Sequence, residues 1–390
     1  MDGFRIDAGE LAARRVEAGR LAGSPDALVA RARSGERLAD VELAALLTAP
    51  AVETDTLLEL ARAARPPGAP RLETFSPLYM TNECDAECLM CGMRGTNGAL
   101  VRETADDGSV EEQLAVLRRR GMRGVALLTG EYRHGPQRDA ILRRVAAALR
   151  TALATGFEHV LINIGSLETA DYDVLLAGVP RTADGRVDPR VTMCTFQEAY
   201  DPEVYARFMG TNGGNPRSDY GRRLTNFDRA ADAGMWSMNP GVLLGLNDDL
   251  ASELLALLAH VAHLRARGLD VYISLPRLRK ASGAPYTRGV SDDELARIVA
   301  VLGFGRPEAK VVISTREAPE IQRRLVPVIA VLTPGSPGVA PYTETGARFD
   351  LEASQFEVLD HRPFEVILGE FLDAGAVIAC FDAGGGAPAG

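Results

Sequence analysis

The amino-acid sequence predicts an α/β protein: a (β/α)8 TIM-type barrel preceded by a helical extension. Three observations point there. Eight short apolar or β-branched runs recur along the chain, most of them separated by longer stretches whose apolar residues keep helical spacing. The 390 residues accommodate one such barrel, which takes roughly 250 residues, with segments to spare. Residues suited to chemistry sit just past the C-terminal ends of the runs, where a barrel carries its site.

Residues 1–70 form the extension. Ala, Leu, Arg and Glu dominate it, with apolar residues at helical spacing in Asp26–Arg33, Asp40–Leu47 and Thr54–Ala64. Arg65-Pro-Pro-Gly-Ala-Pro70 ends this pattern, because proline stops a helix and pushes the residue before it toward extended chain. The barrel is expected over 71–345. Its strands are read at Leu72–Tyr79, Gly124–Thr129, His159–Ile164, Val191–Phe196, Met238–Leu244, Val271–Leu275, Val311–Ser314 and Pro327–Leu332. Helical patterns at Val110–Arg120, Asp139–Thr155, Tyr220–Ala233, Leu250–Arg267 and Asp292–Leu302 lie between them. An open doubly wound sheet shares this alternation; the strand count favours the barrel. Residues 346–390 are a C-terminal segment packing on the barrel, and the Gly/Ala-rich stretch after Asp382 is expected to be disordered.

Composition excludes several function classes. With 46% hydrophobic and 25% charged residues, the chain can bury a core, which rules out general disorder. A net charge of −10 without a basic block argues against nucleic acid or a membrane surface as partner. No apolar stretch is long enough to span a bilayer, and the N-terminus lacks a basic segment leading into an apolar one. A cytoplasmic location follows, where thiols stay reduced and cysteines serve metals or catalysis rather than disulfides.

Three of the five cysteines form Cys84-Asp-Ala-Glu-Cys88-Leu-Met-Cys91, a CxxxCxxC triplet just past the first expected strand. Three thiolates on one loop can hold a [4Fe–4S] cluster and leave its fourth iron open to a small molecule. A structural zinc site would require a fourth Cys or His nearby; the next is His134, while Cys194 and Cys380 are isolated and read as packing. Chance clustering of buried cysteines is the remaining plain reading. His260 and His263 lie on an Ala/Leu-rich helix and read as structural, and His159 and His361 have no evident partner.

This triplet after a first barrel strand resembles the radical S-adenosylmethionine (SAM) superfamily, which implies that a [4Fe–4S] cluster and SAM are the cofactors. The resemblance also implies roles for residues at the strand ends. Met90 precedes the third cysteine, where most members have an aromatic, and would cover the adenine. Gly130 and Glu131 match the motif that takes the SAM ammonium, Ser166 lies near the ribose, and Arg223 is suggested for the SAM carboxylate. The plain readings are a helix-start glutamate for Glu131 and a solvated face for Arg222–Arg223.

The likeness narrows through Phe75-Ser-Pro-Leu-Tyr79, Leu127-Leu-Thr-Gly-Glu-Tyr132, Asn163-Ile-Gly-Ser-Leu-Glu168, Val191–Asp201, Asn239–Gly245, Ser314-Thr-Arg-Glu317 and Thr333-Pro-Gly-Ser-Pro337. Together, spanning roughly Phe75 to Phe356, these are similar to the aromatic amino acid lyase branch. Within it they most resemble the tryptophan lyases that make 3-methyl-2-indolic acid for thiopeptide antibiotics. The likeness implies that Arg316 grips the amino acid carboxylate, with Ser336 beside it and Tyr79 close to the substrate. On plain readings Arg316 pairs with Glu317 at the surface, Ser336 is a turn residue and Tyr79 an ordinary strand aromatic. By this analogy the 5′-deoxyadenosyl radical takes hydrogen from the substrate amine, and the carboxyl fragment migrates to the indole. A flavodoxin- or ferredoxin-type reductant is the implied partner.

Two positions depart from that branch. Glu83 stands where an aromatic residue precedes the first cysteine, and Gly92 matches the tyrosine lyases rather than the serine of the tryptophan enzymes. A lyase or decarboxylase of tyrosine or another amino acid is therefore the second expectation. A non-catalytic iron–sulfur or zinc module is the alternative from another class.

Overall fold

The computed structural model describes residues 3–384, so most of the Gly/Ala-rich tail lies outside the described residues. Arg71–Thr74 (β1) and Ser76–Tyr79 (β2) are the halves of the first expected strand, parted at Phe75. Gly124–Leu128 (β3), His159–Asn163 (β4), Val191–Cys194 (β5), Ser237–Asn239 (β6), Asp270–Ser274 (β7), Lys310–Ser314 (β8) and Val331–Thr333 (β9) follow. Each pairs in parallel with the next, from β2 through β9. β9 then pairs with β1. Because β1 leads directly into β2, one half of the first strand meets the last strand and the other half meets β3, closing the ring of the (β/α)8 barrel. The strands are buried through most of their length, as a parallel sheet covered by helices requires.

Three expected elements differ in extent. The strand read over Met238–Leu244 stops at Asn239, since Pro240 has no N–H to continue the ladder; Gly241 and Leu244 keep only single bridges to Ser274 and Arg277. The run Pro327–Leu332 is a turn until Val331, and Val328 and Ile329 are apolar because they are fully buried, not because they pair. The helix read over Tyr220–Ala233 is two, Tyr220–Leu224 and Asn226–Asp232. Thr225 lies between them, and its hydroxyl donates to the Gly221 carbonyl at 2.8 Å, the local bonding that competes with a continuing helix. Beyond the barrel, Phe364–Asp373 is helical and Val377–Ala379 adds a parallel strand beside β1. Among the described residues no helix is long and apolar enough to cross a membrane.

The helical extension is tied to the barrel by specific contacts. The Arg297 guanidinium, on Asp292–Gly305, donates to the carbonyls of Leu46, Leu47 and Ala49, each at 3.0 Å. These belong to the end of helix Asp40–Thr48, whose last carbonyls have no partner within the helix. At the other edge the Phe4 ring stacks on His260 with centroids 4.3 Å apart.

His260 is structural, as its setting in an apolar helix implied: Tyr200 Oη lies 2.8 Å from its Nδ1, and burial pushes its pKa down to about 3. A histidine near 6.5 in the unfolded chain binds a proton there before it does so in the fold, so stability falls as pH drops below 6.5. By linkage the loss is about 2 kcal/mol at pH 5. Exchanging His260→Gln should remove that increment, so the melting temperature falls less between pH 7 and pH 5 than in the unsubstituted protein. Equal falls would sink this account.

His159 does have partners, which its sequence surroundings did not reveal. Its Nδ1 pairs with Glu73 and its Nε2 lies 2.8 Å from Thr192 Oγ1. Tyr272 Oη donates to Glu73 at 2.9 Å and accepts from Lys310 Nζ at 2.8 Å. These residues come from β1, β4, β5, β7 and β8, and form a polar plug at the N-terminal end of the barrel, where conservation of fold rather than chemistry is at stake.

Candidate active site

The opposite, C-terminal end of the barrel opens into a cavity that is partly open to solvent. Cys84, Cys88, Cys91, Met90, Gly130, Glu131, Arg223, Tyr79 and Arg316 all line it. Strand ends separated by more than 200 residues in sequence thus meet at one wall.

Each cysteine sulfur receives an N–H donor. Cys84 Sγ accepts from the backbone of Glu131 at 3.3 Å and of Ala86 at 3.4 Å. Cys88 Sγ accepts from Arg217 Nη1 at 3.4 Å, and Cys91 Sγ from Gln355 Nε2 at 3.6 Å. Burial pushes the Cys84 thiol up to about 12, with Cys88 and Cys91 adding to it, and the Cys88 thiol up to about 11 against the pull of Arg217. Binding iron would displace their protons, and the N–H donors would then stabilise the charge on the sulfurs. Among the described residues no three Cys, His, Asp or Glu side chains group closely enough to cage a single metal ion. Three thiols from one loop, lining one wall and each met by an N–H donor, are the donor chemistry of an iron–sulfur cluster.

Gly130 is what lets the loop after β3 approach the cysteine loop. A Cβ there would lie 2.0 Å from the Glu83 carbonyl oxygen and 2.6 Å from Cys84 Cβ. The following Glu131 is buried and holds the next loops together. Its Oε1 accepts from the Ser166 backbone at 3.0 Å, and its Oε2 lies 3.0 Å from Arg223 Nη1 and 3.3 Å from Arg217 Nε. Arg223 is buried rather than on a solvated face, and also donates from Nε to the Phe196 carbonyl at 2.8 Å.

Across the cavity stands Arg316. Its neighbour Glu317 is 2% exposed and bonds to Arg277 and, at 2.9 Å, to Arg279, so the surface pair Arg316–Glu317 does not exist. Among the described residues Arg316 has no carboxylate within ion-pair distance. Its guanidinium lies 3.3 Å from the centre of the Phe356 ring and donates one bond, to the Arg277 carbonyl at 3.2 Å. Burial pushes its pKa down to about 10, which still leaves it charged at neutral pH. Phe75, Leu128, Leu161, Phe196, Val312 and Val358 give the same cavity apolar wall.

No family model matches the chain. The 2-iminoacetate synthase of Escherichia coli (strain K12) is 27% identical over 258 residues, 65% of this chain and 63% of that enzyme. The chain thus spans under two thirds of that relative. The 2-iminoacetate synthase of Salmonella typhimurium is 25% identical over 317 residues, 79% of this chain and 78% of the enzyme. Among solved structures, the [FeFe]-hydrogenase maturase HydG superposes with a TM-score of 0.80 at 25% identity, over 97% of this chain and 81% of HydG. HydG shares the fold, and this chain carries the cysteine triplet at the barrel mouth. The chain is similar to these enzymes over most of its length, the likeness to the radical SAM superfamily and its aromatic amino acid lyase branch that the triplet implied.

Not every residue singled out from the sequence reaches the cavity. Ser336 does not line it, although Gly335 and Pro337 do; its hydroxyl donates to the Arg348 carbonyl at 2.7 Å. Ser166 sits behind Glu131 with its Oγ buried and unpartnered among the described residues. Glu83 is not part of the wall either, whereas Cys194, read as packing, is both packed and on the wall. Sequence reading passed over Arg217, Glu198 and Gln355. Glu198 carried one readable signal, its place in Thr195-Phe-Gln-Glu-Ala-Tyr200 at a strand end; Arg217 lies in a Gly/Asn loop that shows none.

Proposed function

We propose that this protein is a radical SAM carbon–carbon lyase acting on free L-tryptophan and forming 3-methyl-2-indolic acid. The observation that carries the reading is Arg316: a buried guanidinium without a carboxylate of its own, stacked on Phe356 and facing the same cavity as the cysteine triplet. Cys84, Cys88 and Cys91 would hold the cluster, and Met90, Gly130, Glu131 and Arg223 would form the SAM side of the cavity, with Ser166 supporting Glu131 from behind. Bound there, a reduced cluster and SAM would supply 5′-deoxyadenosyl radical chemistry to the substrate side of the cavity.

The chain's own residues bind and orient. Arg316 offers a planar fork to the amino acid carboxylate, and the low-dielectric wall strengthens that pair. Tyr79, whose hydroxyl donates to Gln355 Oε1 at 2.6 Å, borders the substrate from β2 and ties the C-terminal segment to the cysteine loop. Ser336, bonded to Arg348, holds the loop beside the carboxylate rather than touching it. The apolar wall keeps water away from the reacting carbon and fixes the ring, the positioning on which a radical rearrangement depends.

One observation favours a second substrate, tyrosine. A Cβ at Gly92 would lie 2.9 Å from the carbonyl oxygens of Ser354 and Gln355, so the serine of the tryptophan enzymes does not fit this backbone. Anaerobic incubation of cluster-loaded protein with SAM, dithionite and each amino acid separates the two. Tryptophan should give 5′-deoxyadenosine and an indole carboxylate in equal amounts. Turnover of tyrosine with tryptophan inert would establish the second reading. Zinc in place of iron, with no SAM cleavage, would overturn both in favour of a non-catalytic module.

A further inference from the structure

We propose that Arg217 is a positioning residue that sets the reduction potential of the cluster, an inference that rests on Cys84, Cys88 and Cys91 holding [4Fe–4S]. Three donors reach the sulfurs from outside the cysteine loop, and only one is charged. Cys84 accepts from backbone amides and Cys91 from the neutral Gln355 amide, while Cys88 accepts from the Arg217 guanidinium. Cys88 is also the most buried of the three, 2% exposed, so a charge beside it is screened least by solvent.

The guanidinium is held in that place from several sides. Its Nη2 donates to Glu198 Oε1 at 2.9 Å, and its Nε is 3.3 Å from Glu131 Oε2. Its backbone N–H donates to Asn215 Oδ1 at 3.1 Å, and its carbonyl accepts from Tyr205 Oη at 2.9 Å. Glu198 itself has a φ of 70°, a conformation that side chains other than Gly, Asn and Asp rarely adopt. Such strain persists where surroundings over-determine it and clusters at functional sites. Here the Glu198 N–H and carbonyl are fixed by Gly241 and Leu243, which leaves the carboxylate turned to Arg217.

Reduction adds one electron to the cluster. A desolvated cation against one of its sulfurs stabilises the reduced form, and the carboxylate of Glu198 opposes it by partly neutralising that cation. The two residues should therefore move the potential in opposite directions, which a merely structural role would not do.

The test is an EPR-monitored redox titration of the cluster-loaded protein, with iron and sulfide measured in each sample. Arg217→Met should make the midpoint more negative, by about tenfold in the reduction equilibrium, or about 59 mV for one electron. Glu198→Gln should shift it the other way, and Arg217→Lys should stay near the unsubstituted value. If Arg217→Met fails to load a cluster, the Glu198→Gln titration decides, since it keeps the arginine. Unmoved or same-direction shifts overturn this inference alone. Absence of iron and sulfide from the unsubstituted protein overturns the cluster reading with it.

Discussion

Arg316→Ala is expected to lower kcat/KM for the amino acid by about 10³-fold while cluster content stays unchanged. The substrate carboxylate would lose the buried guanidinium that faces it, and truncating one partner of a desolvated charge pair costs about 2–5 kcal/mol. Arg279, which also lines the cavity, is held by Glu317 at 2.9 Å and so is not free to take the place of Arg316. Arg316→Lys keeps the charge and loses the planar fork that presents two parallel donors, so it should recover only part of the loss. The measurement is product formed per cluster, alongside SAM cleavage without substrate, which neither change should abolish. Arg316→Ala enzyme turning over its substrate at full efficiency would remove the basis of the proposed substrate class.

Gly130→Ala should empty the cluster site. One methyl group placed 2.0 Å from the Glu83 carbonyl oxygen and 2.7 Å from Cys84 Cα has no flexible side chain to displace, so the two loops must part. Overpacking of this kind costs about 1–3 kcal/mol, which the whole fold can absorb and the relative placement of three sulfurs cannot. Iron and sulfide content should fall below about a tenth of the unsubstituted value, with far-ultraviolet circular dichroism retained. Gly98→Ala is the matched control, since a Cβ there meets nothing within 4 Å. Equal iron in the Gly130 and Gly98 variants would show that the close approach is not needed for the site.

What was legible in the sequence was local. Alternation of short apolar runs with helical stretches reports burial on two faces of a parallel sheet, and it survives imprecise boundaries because each element carries its own period. Boundaries failed where burial and pairing diverge: Val328 and Ile329 are as apolar as any strand yet sit in a turn. The cysteine triplet was legible for the same reason, its three members lying on one loop. Arg316 was legible only through likeness to a family, for nothing in Ser314-Thr-Arg-Glu317 says that Glu317 turns away.

From its chain alone, then, this protein declares a (β/α)8 barrel and an iron–sulfur loop, because periodicity and close spacing are properties of neighbouring residues. Which groups serve that loop was settled by folding. Arg217 and Gln355 reach the sulfurs of Cys88 and Cys91 from 129 and 264 residues away, and Arg316 is left free because Arg277, 40 residues distant from Glu317, takes its neighbour. Such pairings depend on how the strand ends are arranged around the barrel mouth and on which charges share a wall without water. Hydrogen bonds and ion pairs between remote residues leave no period or spacing in the sequence, so they appear only once the ring of strands is closed.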